Sequence, residues 1–136
     1  MDGRAWLEVA GELAAGAGEA HWRASVGRAY YALLHEVIDR LGQWGFSPPP
    51  RDKVHTFARL KLVYATAHDR KRIGLTLEAL GRLRNAADYQ FQRVAPFVSA
   101  GIAVSALADA RAAVILLDDI EADPIRLASA VGSIPP

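Results

Sequence analysis

Apolar residues recur at helical spacing along most of the chain. The pattern is clearest between Trp22 and Leu41, where Val26, Tyr30, Leu33, Val37 and Leu41 follow one another at steps of three and four. They form one stripe, widened by Leu34 and Ile38, and predict an amphipathic helix. The segment GQWGFSPPPR, Gly42 to Arg51, ends that helix with glycines and three consecutive prolines, which can neither donate to nor continue a helix. Asp52 is suited to cap a second helix running through Ala67, with Val54, Phe57, Ala58, Leu60 and Leu62 as its apolar positions. Asp69 is suited to cap a third, from about Arg70 to Gln92, through Ile73, Leu77, Leu80, Leu83 and Ala87. After a break at VAPFVSAG a last long helix is expected over about Ile102 to Glu121, followed by a tail over 122–136 expected to fray. The opening segment, Trp6 to Ala17, is the weakest helix, because Gly11, Gly16 and Gly18 each cost about 1 kcal/mol relative to alanine. No strand pattern and no internal repeat competes with this reading. The expectation is a single all-α domain over 1–136, an antiparallel four- to five-helix bundle with its core in about 20–121.

Composition narrows the chemistry. A chain of 136 residues, 51% hydrophobic and 23% charged, is sufficient for one continuous core. The absence of cysteine excludes disulfides, thiolate metal sites and a cysteine nucleophile, and agrees with a cytoplasmic setting. The N-terminal MDGRAWLEVAGELAAG mixes acidic with apolar residues and lacks the order of a signal peptide. Charge interrupts every apolar run before it reaches a membrane-spanning length. With a net charge of +1, any nucleic acid must be held by a local basic patch.

Two sets of polar residues depart from a bland amphipathic pattern. On the strongest helix Arg28, Tyr31 and His35 stand at i, i+3 and i+7, with Ser25 one turn earlier, so they project on one face beside the apolar stripe. Such a face serves either as packing or as a phosphate site, in which guanidinium, phenol and imidazole supply the donors. On a later helix Arg84 and Asp88 are four apart, as are Asn85 and Tyr89. An intrahelical ion pair of this kind contributes only about 0.3–0.5 kcal/mol. The alternative is an oriented guanidinium with Asn85 and Tyr89 beside it and Arg82 and Arg93 nearby, which would be a preorganised anion site. The two arginine-bearing faces, if adjacent, would leave a net positive pocket between them. His55 and His68 are too far apart in sequence for a one-face metal pair, and no carboxylate joins either at ligand spacing. Neither a metal nor a cofactor is expected. Phosphate loops, nucleophile elbows and zinc-protease patterns are absent. Asp118, Asp119, Glu121 and Asp123 read as a solvated acidic end.

The two sets together resemble a known family. HWRASVGRAYYALLHEVIDRL is similar to the second-helix signature of small stand-alone HEPN proteins, with its Ser, Arg and Tyr-Tyr-Ala before a mid-helix His. GRLRNAADYQF resembles that branch's Arg-x-x-Ala-Asp-Tyr element, and the likeness extends over about Trp22 to Ala113. The resemblance implies a four- or five-helix bundle, a homodimer with Arg84 of each subunit near the two-fold axis, and action on RNA. It implies a toxin-like, metal-independent ribonuclease of a prokaryotic toxin–antitoxin or defence system, partnered by a minimal nucleotidyltransferase antitoxin. The alternative it leaves open is a non-catalytic module that binds a nucleotide, RNA or a nucleotidyltransferase.

Carried over by position, Arg84 and Asn85 fill the first two places of the family's ribonuclease signature, and Tyr89 stands where its histidine belongs. Arg28 and His35 match the same signature literally, with six residues between them, but on the earlier helix. The expected catalytic set is therefore Arg84, Asn85, Asp88 and Tyr89, with Arg28, Tyr31 and His35 binding RNA or phosphate. Metal-free RNA cleavage needs proton transfer to and from oxygen, for which imidazole is well matched near neutrality. A phenol, titrating near about 10, donates a proton but is a poor base there.

Overall fold

In a computed structural model, described over residues 2–50, 53–63, 65 and 67–136, every regular element is helical. Helix α1 spans Gly3–Ala14, α2 Glu19–Gln43, α3 Val54–Val63, α4 His68–Tyr89, α5 Gly101–Ala122 and α6 Pro124–Ser133, with a 3₁₀ turn at Ala95–Phe97 before α5. The expected all-α architecture holds among the described residues, with one helix more than expected. None of these helices is long and apolar enough to cross a membrane.

The stripe on α2 is the centre of the core. Val26, Leu33, Val37 and Leu41 are fully or almost fully buried, and Leu62, Ile73, Leu77, Val114, Leu117 and Ile120 from α3, α4 and α5 close around them. Helix α2 ends where its glycines allow. Gly45 takes a φ of 95°, Gly45 N–H bonds Gly42 O at 3.1 Å, and Phe46 N–H reaches back to Leu41 O at 2.9 Å. This is the left-handed termination that satisfies the last carbonyls, and the prolines then keep the chain extended. Helix α3 crosses α4 at Gly74, where a Cβ would lie 2.6 Å from Val63 N and 2.7 Å from Leu62 C. Any larger residue would push α3 away.

The termini differ from expectation. The predicted frayed tail contains α6: Asp123 accepts from the N–H groups of Ile125 and Arg126 at 3.0 and 3.2 Å, and Pro124 occupies the first turn. Proline lacks only an N–H that has no helical partner there. Ala130 and Ile134 are buried, so the tail is part of the fold. Asp69 does not cap α4, which begins two residues earlier than expected, at His68, with Ala67 at the N-cap. Instead Asp69 accepts from Arg126 of α6 at 2.6 Å, and that hydrogen bond holds its carboxyl below the usual range. Asp52, the expected cap of α3, lies outside the described residues. At the other end the core reaches past residue 20 into α1, where Leu7, Ala10 and Ala14 are buried.

The acidic end of α5 is not a solvated run either. Arg40 of α2 donates to Glu121 at 2.8 Å, to Glu36 at 3.1 Å and to Asp118 at 3.1 Å, and Arg4 of α1 donates to Asp118 at 2.6 Å. Three helices are tied by this network. A second arginine, Arg23, fixes the end of α4. Its guanidinium donates to the carbonyls of Ala86, Ala87 and Arg93 at 2.9, 3.1 and 2.9 Å, and packs over the Phe97 ring at 4.2 Å. Ala86 O also accepts from Gln90 N–H at 3.1 Å, and Arg23 adds donors where the helical ladder runs out. Arg23 therefore docks the Arg84–Tyr89 turn against α2.

Candidate functional site

Consecutive residues on a helix point about 100° apart, so Tyr30 and Tyr31 of α2 serve different neighbours. Tyr30 turns inward, is almost fully buried, and lies over Gly81 of α4, where a Cβ would sit 3.3 Å from its ring. Its hydroxyl is 2.6 Å from Nδ1 of His55 on α3, and the two rings stack at 5.7 Å and 13°. Tyr31 is half-buried, and its hydroxyl accepts from Nη2 of Arg84 at 2.6 Å.

Arg84 is the centre of the arrangement. Its guanidinium carbon lies 5.1 Å from the Tyr31 ring centre and 5.4 Å from that of Tyr89, between two aromatic faces. Nη1 donates to Asn85 Oδ1 at 3.3 Å. Nε stands 2.8 Å from Asp88 Oδ2, yet it is buried without a hydrogen bond. The separation makes this a charge contact, and the misalignment leaves the N–H unsatisfied. Asp88 thus neutralises Arg84 without consuming all of its donors.

Beside this side chain α2, α3 and α4 enclose a cleft of about 300 Å³, lined by Tyr30, His55, Thr56, Arg59, Leu77, Glu78, Gly81, Arg82, Arg84 and Asn85. Arg82 pairs with Glu78. Arg59 has no carboxylate partner among the described residues. Three arginines against Glu78, and Asp88 behind Arg84, leave the cleft positive in a chain whose net charge is only +1. Burial pushes the Tyr30 phenol up to about 12, against the opposing influence of Arg84 and Arg59. Burial, then the charges of Arg84 and His35, push the His55 imidazole below its usual value. Both groups are therefore neutral near pH 7. No group of three or more His, Asp or Glu side chains among the described residues is arranged to hold a metal ion.

The residues singled out in sequence divide. Arg84 and Asn85 line the cleft, Tyr31 joins through its hydroxyl, and Asp88 backs the guanidinium. Tyr89 stacks on that guanidinium but is 69% exposed. Arg28 and His35 belong to a neighbouring group around Trp6 of α1: the Arg28 guanidinium lies 4.8 Å from the indole centre, and the exposed His35 stacks on it at 6.3 Å and 11°. Trp6 in turn touches the Tyr31 ring at 6.4 Å, so the two groups adjoin without forming one pocket. Ser25 is fully buried and donates to Ala10 O at 2.7 Å. It fastens α1 to α2 and does not share the Arg28 face.

Tyr30, His55 and Arg59 are the additions that sequence reasoning lacked. Tyr30 sits in the apolar stripe and reads as core. His55 is weighed there only as a metal ligand, and 25 residues separate it from Tyr30, a spacing that carries no signal before α3 packs on α2. No family model, no curated protein and no solved structure matches this chain.

Proposed function

We propose that the protein is a HEPN-like, RNA-acting protein of the toxin type, and that the α2–α3–α4 cleft is its phosphodiester site. The observation that carries this reading is Arg84: a guanidinium clamped between Tyr31 and Tyr89, contacted by Asp88, and bordering a cleft that also contains Arg59 and Arg82. A rigid arginine with unspent donors beside two further arginines suits a phosphate, which offers several acceptor oxygens and a fixed negative charge. Two exposed aromatics near the end of α4, Tyr89 and Phe91, favour single-stranded RNA, whose unstacked bases pack on aromatic faces. The same reading carries a homodimer and a minimal nucleotidyltransferase partner.

A second reading is a non-catalytic RNA- or nucleotide-binding module, and Tyr89 favours it. The residue in the family histidine's place is a mostly exposed phenol, engaged with a guanidinium face. Binding is common to both readings and is tested first. Fluorescence anisotropy with a labelled single-stranded RNA, in the presence of a chelator, is expected to show tight binding. Arg84→Ala should weaken it at least about tenfold, the scale of one lost charge-assisted contact, while the melting temperature stays within a few degrees. Equal affinity in the two proteins would remove the assignment.

A further inference from the structure

Tyr89 leaves the site without an imidazole on α4, but the cleft does not lack one. His55 comes from α3, which brings it across from Asn85 and Arg84 to line the same 300 Å³ cavity. Its Nδ1 is held by the Tyr30 hydroxyl at 2.6 Å, and the stacked phenol ring fixes the imidazole plane. That leaves Nε2 as the nitrogen available to a ligand. We infer that His55 is the proton-transfer residue of this site, acting as the general acid of RNA cleavage, with Tyr30 as its positioning residue. The inference rests on the RNA reading above and adds the reaction to it.

The hydrogen bond decides which way the proton moves. The O–H of the neutral Tyr30 phenol can donate to Nδ1, and that arrangement selects the tautomer with its hydrogen on Nε2. In that tautomer the cleft-facing nitrogen carries a hydrogen, and the ring becomes an acid through Nε2 once Nδ1 takes up a second proton. Around the ring stand Arg59 on α3, Glu78, Arg82 and Arg84 on α4, and Tyr30, Tyr31 and His35 on α2. Burial, followed by the charges of Arg84 and His35, keeps the empty site's imidazole uncharged. A bound phosphodiester offsets them and favours uptake of a second proton, since an adjacent negative charge stabilises the imidazolium. Tyr30 then accepts from Nδ1–H through its hydroxyl oxygen. In the reaction the RNA 2′-oxygen forms a bond to the neighbouring phosphorus and releases its proton to water. The bond from phosphorus to the 5′-oxygen breaks, and that oxygen takes the Nε2 proton. The products are a 2′,3′-cyclic phosphate and a free 5′-hydroxyl, and His55 recovers its proton from solvent. Arg84 stabilises the charge on the phosphorane.

The test compares His55→Gln, Tyr30→Phe and Arg84→Ala with wild type on a single-stranded RNA oligonucleotide in chelator. Glutamine keeps a donor near the position of Nε2 but does not titrate. Wild type should yield cyclic-phosphate and 5′-hydroxyl ends. His55→Gln should bind RNA within about twofold of wild type, which shows that it is folded, yet cleave about 10²–10⁴-fold more slowly. A substrate whose bridging 5′-oxygen is replaced by sulfur needs no proton on its leaving group. It should restore cleavage by His55→Gln to near the wild-type rate and should not rescue Arg84→Ala. Tyr30→Phe should shift the pH–rate profile while keeping RNA affinity. Cleavage of the oxygen substrate by His55→Gln at the wild-type rate, or an equal defect on oxygen and sulfur substrates, would overturn the role. Wild type that binds RNA through Arg84 but never cleaves it overturns this inference and leaves the binding assignment standing. Loss of the Arg84 dependence of binding sinks both.

Discussion

Arg40 and Arg84 both lie at the margin of the core, and they are kept there by opposite means. The Arg40 side chain is 10% exposed and faces three carboxylates, Glu36, Asp118 and Glu121. Arg84 is 17% exposed and faces two aromatic rings, a phenol oxygen, an amide and one misaligned carboxylate. Around Arg40 three acids meet two arginines once Arg4 is included; in and behind the cleft three arginines meet Glu78 and Asp88. Burying charge is costly unless it is compensated nearby. The first cluster is complete in itself and binds helices together. The second is left with excess positive charge and unspent donors, so its compensation must come from outside.

The largest expected effect breaks the complete cluster. Arg40→Ala strands Glu36, itself buried, and leaves Asp118 and Glu121 without their common partner. Removing one member of a buried ion network costs about 3 kcal/mol or more, which in a domain of this size lowers the melting temperature by roughly 10 °C. Calorimetry checks the fall, and RNA affinity per folded molecule should be unchanged. A loss of RNA binding without loss of stability would erase the distinction between the two arginines.

The clusters should also respond to pH in opposite directions. Burial, followed by the neighbouring Asp2 carboxyl, raises the Glu36 carboxyl above 4.5. A raised folded value means that the stabilising contribution is present at low pH and is lost as pH rises through that value. His55 is depressed below 6.5, so its contribution is present above 6.5 and is lost as pH falls through its lowered value. Thermal melts across pH 4 to 8 should therefore show two limbs of opposite slope. Glu36→Gln should flatten the acidic-side decline with rising pH, and His55→Gln the decline on acidification from neutrality. If either variant leaves its limb unchanged, the limb belongs to other groups.

The smallest expected effect sharpens the cleft itself. Tyr89→Phe keeps the ring that stacks on Arg84 and removes only an outward hydroxyl. RNA affinity and cleavage rate should both stay within about twofold of wild type. A larger fall in rate with affinity intact would return proton transfer to Tyr89 and remove it from His55.

The helices were legible from the chain because burying one face of an amphipathic helix imposes a spacing that one-dimensional sequence records. The stripe Val26–Leu41, the glycine-and-proline stop after Gln43 and the extent of α5 all follow from it. Arg84 with Asp88, and Asn85 beside them, were legible for the same reason, since neighbours three and four apart on a helix share a face whatever the tertiary fold. Partnerships between helices leave no such trace. That Ser25 would fasten α1 to α2, that Asp69 would hold Arg126 and not cap its own helix, and that Asp118 and Glu121 would be consumed by Arg40 depended on which helices packed together. The segment Pro124–Ser133 looked like a fraying end because it is a short, proline-led stretch near the chain terminus, and only packing against the core buries Ala130 and the following Ile134. Tyr30 read as core and His55 as a lone histidine. Sequence determined that each would sit on a helix; the packing of α3 against α2 and α4 decided that they would meet beside Arg84, because long-range contact depends on the angle and height at which helices cross, which local spacing does not encode.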